Sequence, residues 1–554
     1  MSVLQCLRPC LRSPSRPISR AASSAFLRFY SVAQAQAEPR IRTTLESVEY
    51  SPEPYPRIRP QKGVLDYKTF AGRYRSLARG ETSTDEVVIR GRVMSTRVAG
   101  SKLAFVDLFQ NNRFVQVHKV QCLLAYDKLS DQDVSPTKFK DFVDSLHRGD
   151  IFSVKGVPHR TPRNELSLQA TELPQLLSKC TQELPGELKD KEARMRFRHV
   201  DLLLDPYLPD VFRLRAEIIK FLRQFLSDEG HVEVQTPILA NSAGGAVARP
   251  FTTSATEFSD RQLALRIAPE LWLKRLILGG FEKVFEIGPS FRNEGIDMNH
   301  NPEFTTCEFY RTYADLEELM GMTEIMFLRL SRIARSLIEN ELKAIEPKAI
   351  DFSPPFKRLD FIPAIEEAIG KPLPDLASPT AQSDLMLIFH EKHAGLPSFP
   401  TIPRLLDKLS AIYLESRCKE PTWIINPPEC LSPLSKSFVH PANQQRVAAR
   451  AELFIEKQEF VNTYEEENSP AEQRRKFEEQ VQYHGEYHGG DRESTIDESY
   501  LQALEWGLPP TGGWGCGIDR LCMLFAGTKR IADVLSFGTL RNVVGLRNTT
   551  NRTL

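Results

Sequence analysis

Residues 507–527 read GLPPTGGWGCGIDRLCMLFAG, and this pattern predicts an extended segment, a Gly-rich turn and then a helix. Four glycines within residues 512–517 remove side chains where a ligand or a neighbouring strand must approach the backbone closely. Apolar residues at helical spacing over 518–525 then predict a helix with one buried face. Arg520 falls in its first turn, where a cation beside free backbone N–H groups favours phosphate. A tight turn that leads into a core helix with a surface arginine would give the same sequence pattern.

A second stretch, residues 285–310, reads FEIGPSFRNEGIDMNHNPEFTTCEFY. A strand-like run ends at Arg292, a polar loop follows, and another strand-like run begins near Glu303. Together, FRNEG…HNPEFT…E and GLPPTGG…GIDR resemble motifs 2 and 3 of the class II aminoacyl-tRNA synthetases, and more narrowly those of the lysyl-tRNA synthetases. The resemblance covers the chain from about residue 60 to the C-terminus. It implies an α+β fold whose catalytic domain is an antiparallel sheet flanked by helices.

Composition limits the classes of protein that are possible. The length of 554 residues suggests about three or four domains. Acidic and basic residues balance at 72 each, so contact with nucleic acid must come from local patches and not from net charge. No apolar run approaches the ~20 residues of a membrane span, so we expect no membrane insertion. Nine cysteines without CxxC spacing are typical of unpaired thiols in a reducing compartment.

Residues 1–37 contain no Asp or Glu and carry five arginines among many serines. This composition is typical of an organellar transit peptide, and we expect a mitochondrial transit peptide that directs import into the matrix. A plastid address and a disordered basic tail are the alternatives. Residues 38–85 are predicted to form a linker and an N-terminal helix, with helical patterning over residues 61–80.

Short strand-like runs fill residues 86–178, the third of them at residues 113–120. Five such strands with a helical insert at residues 136–146 predict an OB-fold barrel, a fold that stacks single-stranded bases on aromatic side chains. The resemblance implies that this barrel is the anticodon-binding domain for tRNA(Lys). By position, it assigns contacts with the anticodon to Arg92, Phe105, Gln116 and Glu165. From the residues alone, Phe105 is expected in the barrel core instead.

Residues 179–210 are predicted to form a connector, and residues 211–554 the catalytic domain. A helical pattern over residues 211–226, followed by HVEVQTPIL, resembles motif 1 and so implies a homodimer interface. A helix packed on its own sheet would give the same pattern. Farther along, AELFI and EFVNTY predict a β-hairpin across residues 456–458, where the family usually has a glycine.

The resemblance implies that lysine and ATP form lysyl-adenylate and pyrophosphate, and that the lysyl group then passes to the 3′ end of tRNA. Such a transfer needs cations and in-line positioning more than covalent help from the protein. The resemblance makes Arg292 and Arg520 the catalytic cations. Mg²⁺ is expected between Glu452 and Glu459, which flank the predicted hairpin turn and are expected to face each other across it. The other contacts with ATP are assigned to Glu294, His300, Phe304 and Gly517.

Substrate choice rests on charge, because a buried ammonium group needs a carboxylate partner. The resemblance places Glu308, Glu466 and Tyr310 around the ε-ammonium group of lysine. It assigns the rest of the substrate to Glu270 at the α-ammonium group, Asn462 near the α-carboxylate, Tyr464 along the aliphatic stem and Gly245 in a lid. An aspartyl or asparaginyl enzyme would need a cation or an amide in place of Glu308 and Glu466. A catalytically silent tRNA-binding paralogue would not need the two arginines and the metal-binding pair.

Overall fold

The computed structural model describes residues 55–110, 119–130, 134–241, 248–488 and 496–544, and for residues 484–488 it describes the backbone only. The chain forms two compact units, one ending at Pro185 and the other beginning at Gly186. The predicted transit peptide, residues 1–37, lies outside the described residues. Within the described ranges, we find no helix with the length and apolar character that crossing a membrane requires.

The N-terminal unit is a small β-barrel. Its helices are α1 (Tyr67–Arg73) and α2 (Pro136–Ser145), and its strands are β1 (Val87–Val98), β2 (Leu103–Phe109), β3 (Lys119–Ala125), β4 (Ile151–Arg160), β5 (Leu166–Ala170) and β6 (Gln175–Ser178). The strands pair in the order β1-β2-β3-β5-β4, and β4 pairs back with β1, which closes five strands into a barrel. β6 pairs with β4 only. The predicted five-stranded barrel is therefore confirmed.

Helix α1 is shorter than the helical pattern over residues 61–80 predicted. The side chain of Asp66 caps it by accepting a hydrogen bond from the backbone N–H of Thr69 at 2.7 Å. Just before this cap, the carbonyl oxygen of Gly63 accepts from the backbone N–H of Val88, on strand β1, at 2.9 Å. Because the backbone there is committed to the barrel edge, the helix cannot begin earlier.

Most of the third predicted strand, residues 113–120, lies outside the described part of the chain. The described strand β3 runs from Lys119 to Ala125. Val120, Cys122 and Leu124 alternate into the barrel core, each at most 1% exposed. This period-two burial fixes the register in which the described strand pairs.

The C-terminal unit is built on a large mixed sheet with helices packed against it. Its helices are α3 (Lys191–Arg196), α4 (Arg198–Leu204), α5 (Tyr207–Asp228), α6 (Glu270–Leu278), α7 (Leu316–Asn340), α8 (Phe361–Ile369), α9 (Ala381–Glu391), α10 (Ile402–Tyr413), α11 (Pro470–His488), α12 (Glu498–Leu504), α13 (Ile518–Ala526), α14 (Ile531–Val534) and α15 (Leu540–Val544). Its strands are β7 (Val232–Glu233), β8 (Leu239–Ala240), β9 (Thr252–Ala255), β10 (Phe258–Leu265), β11 (Lys283–Phe291), β12 (Glu303–Thr312), β13 (Lys357–Asp360), β14 (Thr422–Ile425), β15 (Ser437–Val439), β16 (Arg446–Ala448), β17 (Arg450–Ile455), β18 (Gln458–Glu465) and β19 (Thr511–Gly517).

Eight of these strands form the main sheet in the order β13-β14-β17-β18-β19-β12-β11-β7. The six inner strands pair antiparallel, as predicted, while the two edge strands, β13 and β7, pair parallel to their neighbours. Strands β8, β10 and β9 form a separate three-stranded sheet, and β15 pairs with β16. The fold is therefore the α+β arrangement that the motifs predicted.

Alternation along the two motif strands separates the core from a cavity. On β12 and β19, Cys307, Phe309, Trp514 and Cys516 are buried in a core shared with α5, α7 and α13. The rings of Phe309 and Trp514 stack with centroids 5.0 Å apart. The residues between them must face the opposite side of the sheet, because side chains alternate along a strand. The predicted apolar face of residues 518–525 is confirmed, since it is buried in α13.

The predicted hairpin of β17 and β18 forms without a glycine in its turn. Glu456 and Lys457 have positive φ angles of 50° and 67°, the signs of a type I′ turn. Their backbone N–H groups donate to the carbonyl oxygens of Lys419 and Cys418 at 2.9 and 2.7 Å. The Glu456 carboxylate also forms an ion pair with Lys348. These contacts stabilise a left-handed turn that glycine would adopt more easily.

Candidate active site

Four neighbouring strands carry polar side chains in rows across the sheet. One row contains, in order from β12 to β17, Glu308, Gly515, Asn462 and Glu452. The next row contains Tyr310, Gly513, Tyr464 and Arg450. Residues that lie opposite one another in a sheet share a face, so both rows project to the same side. Apart from Gly513, they line a cavity of about 1750 Å³.

This cavity collects most of the predicted site residues from distant parts of the C-terminal unit. It is lined by Glu270, Arg292, Glu294, His300, Phe304, Glu308, Tyr310, Glu452, Glu459, Asn462, Tyr464, Gly517 and Arg520. Glu466 is buried and does not belong to this lining. Gly245 lies outside the described residues.

Arg292 lies where β11 ends, at the mouth of the motif 2 loop. Its backbone N–H donates to the carbonyl oxygen of Pro302 at 2.8 Å, which closes the loop. Its guanidinium carbon lies 5.2 Å from the centroid of the Phe304 ring. Its Nε donates to the carbonyl oxygen of Ile267 over a longer distance of 3.4 Å. A flat aromatic ring and a fork of N–H donors are therefore side by side in the cavity.

Arg520 lies in the first turn of α13, as predicted, and joins the two motifs. Its Nη2 lies 2.8 Å from Nε2 of His300, and its Nη1 donates to the carbonyl oxygen of Glu459 at 3.0 Å. The other ring nitrogen of His300, Nδ1, lies 2.8 Å from the Asp297 carboxylate. Because the guanidinium group can only donate, His300 accepts at Nε2 and donates at Nδ1. Glu294, in the same loop, is exposed at the cavity edge.

The two acidic residues of the hairpin reach the same face by a route that differs from the prediction. They do not lie opposite each other, because Glu452 pairs with Asn462 and Glu459 pairs with Phe454. A β-bulge at Phe460 shifts the register by one residue. Without it, Glu459 would lie on the core face of the sheet; with it, both carboxylates line the cavity.

This pair has the chemistry of a shared cation site. Burial raises the pKa of Glu452 to about 7, the Arg450 guanidinium opposes that rise, and Glu459 adds to it. In the described ranges, there is no cluster of three or more His, Cys, Asp or Glu side chains that could hold a metal ion alone. Mg²⁺ typically takes one or two carboxylates together with substrate phosphates, so Glu452 and Glu459 fit a Mg²⁺ ion that arrives with ATP.

At the other end of the rows, Glu308 is a carboxylate without a strong partner. Burial, together with the neighbouring Glu270 carboxylate, raises its pKa to about 8. The hydroxyl of Tyr310 donates to its Oε2 over 3.4 Å, which is a long hydrogen bond. Glu270 is better bonded, because its Oε1 accepts from the hydroxyl of Tyr464 at 2.6 Å. A cation placed against Glu308 would remove the cost of its burial.

Glu466 lies just behind this end and is paired with a lysine that the sequence analysis missed. Lys274, in α6, is fully buried, with its Nζ 2.5 Å from Oε1 of Glu270 and in an ion pair with Oε2 of Glu466. The other oxygen of Glu466, Oε1, is buried and finds no hydrogen-bond partner among the described residues. A Cβ atom added to Gly513 would lie 1.8 Å from this oxygen. Glu466 therefore has one oxygen in an ion pair with Lys274 and one without a hydrogen-bond partner among the described residues.

On the N-terminal unit, Phe105 lies outside the barrel core. It is half-buried, and the guanidinium carbon of Arg97, directly across from it on β1, lies 5.9 Å from its ring centroid. Glu165 forms an ion pair with Lys119 at 3.7 Å. Arg92 is bound within the barrel, where its Nη1 donates to the carbonyl oxygen of Gly149 at 2.7 Å. The remaining predicted anticodon residue, at position 116, lies outside the described residues.

Comparison with known proteins agrees with this geometry. The model of the family described as tRNA synthetases class II (D, K and N) matches residues 190–541. A lysine–tRNA ligase of Cladosporium cladosporioides is 39% identical over 88% of this chain and 82% of its own length. Mitochondrial lysine–tRNA ligases of Schizosaccharomyces pombe and Saccharomyces cerevisiae are 38% and 37% identical, over 88% and 82% of this chain and 91% and 82% of their own lengths. The chain belongs to the lysine–tRNA ligase family of class II tRNA synthetases.

Members of this synthetase family use ATP, generally with Mg²⁺. In this synthetase, three residues of the two candidate sites escaped the sequence analysis. Lys274 follows Glu270 by four residues on a helix, a spacing that favours an ion pair. Arg450 precedes Glu452 by two residues on a strand, which places both on one face. Arg97 had no local signal, because only the strand register places it against Phe105.

Proposed function

We propose that this protein is a lysine–tRNA ligase that activates lysine with ATP and transfers it to tRNA(Lys) for mitochondrial translation. The observation that carries the proposal is that two carboxyl groups at or directly behind one end of the cavity lack a strong partner. Glu308 has no strong partner there, and Oε1 of Glu466 has none. A substrate ammonium group would satisfy both, whereas the side chains of aspartate and asparagine have no cation to offer them. Lys274 does not make this end of the cavity positive, because its ammonium group is buried and paired with two carboxylates.

The rest of the substrate fits the same rows. We assign the α-ammonium group to Glu270, which lines the cavity, and the α-carboxylate to the neighbourhood of Asn462. The aliphatic stem would lie along Tyr464, one row from Asn462 on the same face of β18. Gly245 is proposed as part of a lid over the substrate. Two ammonium groups separated by an apolar stem would thus meet three carboxylates, with an aromatic side chain along the stem.

In the activation step, a carboxylate oxygen of lysine attacks the α-phosphorus of ATP as the bond to the β-phosphate oxygen breaks and pyrophosphate leaves. Arg292 would hold the α-phosphate and the attacking carboxylate, and Arg520 the γ-phosphate end. Phe304 would stack on adenine, with Glu294 and His300 beside it and Gly517 leaving room for the nucleotide. In the transfer step, a hydroxyl of the terminal tRNA ribose attacks the lysyl carbonyl carbon and AMP leaves. Fixed cations stabilise the charge that develops on the phosphate oxygens.

Mg²⁺, when bound, would offset the negative charge of those phosphate oxygens. Changing Glu452 or Glu459 to glutamine is expected to raise the Mg²⁺ concentration needed for half-maximal pyrophosphate exchange by about tenfold or more. Glu456→Gln is the matched control, because this glutamate lies at the tip of the same hairpin, pairs with Lys348 and does not line the cavity. Pyrophosphate exchange by all three variants, measured over a series of Mg²⁺ concentrations, gives the midpoints to be compared. If their midpoints equal that of the unmodified protein, the pair does not hold the ion.

The pairing of Glu308 with the substrate ammonium group can be tested through the pH dependence of lysine binding. Its pKa of about 8 means that the free protein holds a proton there at neutral pH, so binding of the substrate ammonium must release it. The KM for lysine is therefore expected to fall by about tenfold per pH unit as the pH rises towards 8, and to level off above that value. Glu308→Gln should remove this dependence and lower kcat/KM for lysine by about 10²–10³-fold. Lysine-dependent pyrophosphate exchange measured across this pH range reports both effects.

Glu303→Gln is the control for the Glu308 variant. This glutamate lies on the same strand, is exposed and does not line the cavity, so its loss should leave the KM for lysine unchanged. The KM for ATP, followed over the same pH range, separates an effect on lysine from an effect on the whole site. If kcat/KM for lysine in the Glu308→Gln protein stays within about threefold of the original value, Glu308 does not pair with the substrate ammonium group.

The proposal includes three finer statements. A homodimer is supported by apolar side chains exposed in the motif 1 segment, where Val232, Ile238 and Leu239 are 41–49% exposed. Binding of the tRNA anticodon is supported by the outward position of Phe105 on the barrel. A location in the mitochondrial matrix is supported by the composition of residues 1–37 and by the mitochondrial relatives.

A further inference from the structure

The ammonium group of Lys274 occupies a complete cage that is closed to solvent. Carboxylate oxygens of Glu270 and Glu466 contact it, and the side chain is 0% exposed. The centroids of three aromatic rings, those of Tyr310, Tyr464 and Tyr500, lie 5.9, 5.7 and 6.0 Å from its nitrogen. Carboxylates and aromatic faces are the groups that hold an alkylammonium ion in an apolar place. The chain therefore binds one of its own lysine side chains directly behind the wall of the substrate cavity.

The cage and the cavity share their walls. Glu270, Tyr310 and Tyr464 line the cavity and also contact or face the ammonium group of Lys274. Glu466 binds Lys274 through Oε2, while its Oε1 lies over Gly513 without a hydrogen-bond partner among the described residues. Lys274 thus anchors two of the three carboxylates at this end of the cavity without itself lining it.

Lys274 sets the net charge of the groups around the substrate. In the lysine-bound state, in which Glu308 has released its proton, Glu270, Glu308 and Glu466 carry three negative charges at or directly behind this end of the cavity, and Lys274 compensates one of them. The two that remain equal the two ammonium groups of a free lysine, whose carboxylate is left for Arg292. We propose that Lys274 is a specificity-determining positioning residue, which fixes Glu466 and Glu270 and sets the charge of the cavity for a substrate with two ammonium groups. This inference rests on the proposed function.

The titration of the surrounding groups points the same way. Burial lowers the pKa of Lys274, but Glu270 and Glu466 outweigh this effect and raise the pKa above its ordinary value. Burial raises the pKa of Glu466, and the Lys274 ammonium group is the main influence against that rise. The titratable groups that face this cluster are Glu270 on α6, Glu308 and Tyr310 on β12, Tyr464 on β18, Glu466 directly after β18, and Tyr500 on α12. Without Lys274, a proton would take the place of its charge on Glu466.

Lys274→Met keeps the length and apolar stem of the side chain and removes the charge. At about neutral pH, we expect its KM for lysine to rise by about 10–100-fold while the KM for ATP stays unchanged. Because lysine must now displace one more proton, the plot of log KM for lysine against pH should become steeper by about one unit of slope. Loss of packing alone would raise KM by the same factor at every pH. Lysine-dependent pyrophosphate exchange over a pH series measures the slope.

A double variant keeps the test decisive if Lys274→Met alone is unstable. Lys274→Met with Glu466→Gln removes both charges of the pair, and we expect its KM for lysine and its pH profile to match those of Glu466→Gln alone. Lys476→Met is the control. It removes another buried ammonium group of the cavity wall, one bonded to Glu467 at 2.7 Å and not to Glu270, Glu308 or Glu466, so the slope should stay unchanged. An unchanged slope in Lys274→Met, or effects that add in full in the double variant, would overturn the inference. If the unmodified protein does not activate lysine at all, the proposed function fails instead.

Discussion

Gly513→Ala is expected to abolish efficient use of lysine, with kcat/KM for lysine lowered by at least about 100-fold. The added Cβ would lie 1.8 Å from Oε1 of Glu466 and 2.8 Å from Cε1 of Tyr310. The backbone has no room to retreat, because β19 is hydrogen-bonded on both sides, to β12 and to β18. Glu466 must therefore move away from Lys274, and the oxygen proposed for the substrate moves with it. Pyrophosphate exchange with varied lysine measures this loss.

The same variant should leave the KM for ATP within about threefold, because the methyl group lies at the lysine end of the cavity. Gly321→Ala in α7 is the matched control for adding a methyl group to a glycine, since no atom lies within 4 Å of the added carbon. A Gly513→Ala protein that melts at the usual temperature and uses lysine normally would show that Glu466 is not part of the lysine site.

Arg292→Ala is expected to lower the rate of lysine-dependent pyrophosphate exchange by about 10²–10³-fold at saturating substrates. The guanidinium group lines the cavity beside Phe304, where its planar fork of N–H donors can hold phosphate and carboxylate oxygens. Arg292→Lys keeps the charge but loses the planar fork, so we expect it to recover only part of the rate. The variants should stay folded, because Arg292 is only half-buried.

Arg335→Ala is the control for the loss of an arginine, because Arg335 is exposed on α7 and does not line the cavity. Its exchange rate should equal that of the original protein. Single-turnover measurements with pre-bound ATP and lysine separate the chemical step from binding. If Arg292→Ala loses less than about tenfold in that step, another group stabilises the α-phosphate and the assignment of Arg292 is wrong.

Local patterns in the sequence were sufficient for much of the site. The period-two alternation of β12 separates Cys307 and Phe309 in the core from Glu308 and Tyr310 at the cavity, and the glycines of β19 face those cavity residues. The helical stripe of α13 was equally readable and places Arg520 in its first turn. Such features depend on residues a few positions apart, so a single sequence contains the information.

Other features depend on pairing between distant segments, and no local pattern shows them. The bulge at Phe460 brings Glu459 onto the cavity face, yet it exists only because β18 must pair with β17 in that register. The outward position of Phe105 follows from the closure of the barrel and not from its own neighbours in sequence. The cage around Lys274 joins α6, β12, β18 and α12, and its partner Glu466 is far away in the chain.

The most direct test of the account is pyrophosphate exchange into ATP by the purified protein, with lysine, aspartate and asparagine in parallel and with and without Mg²⁺. We expect exchange with lysine alone, and only when Mg²⁺ is present. Exchange driven by aspartate or asparagine would keep the class II site but contradict the roles given to Glu308 and Glu466. A folded protein that binds tRNA and exchanges with none of the three amino acids would be a silent tRNA-binding paralogue, and the proposed activity would be wrong.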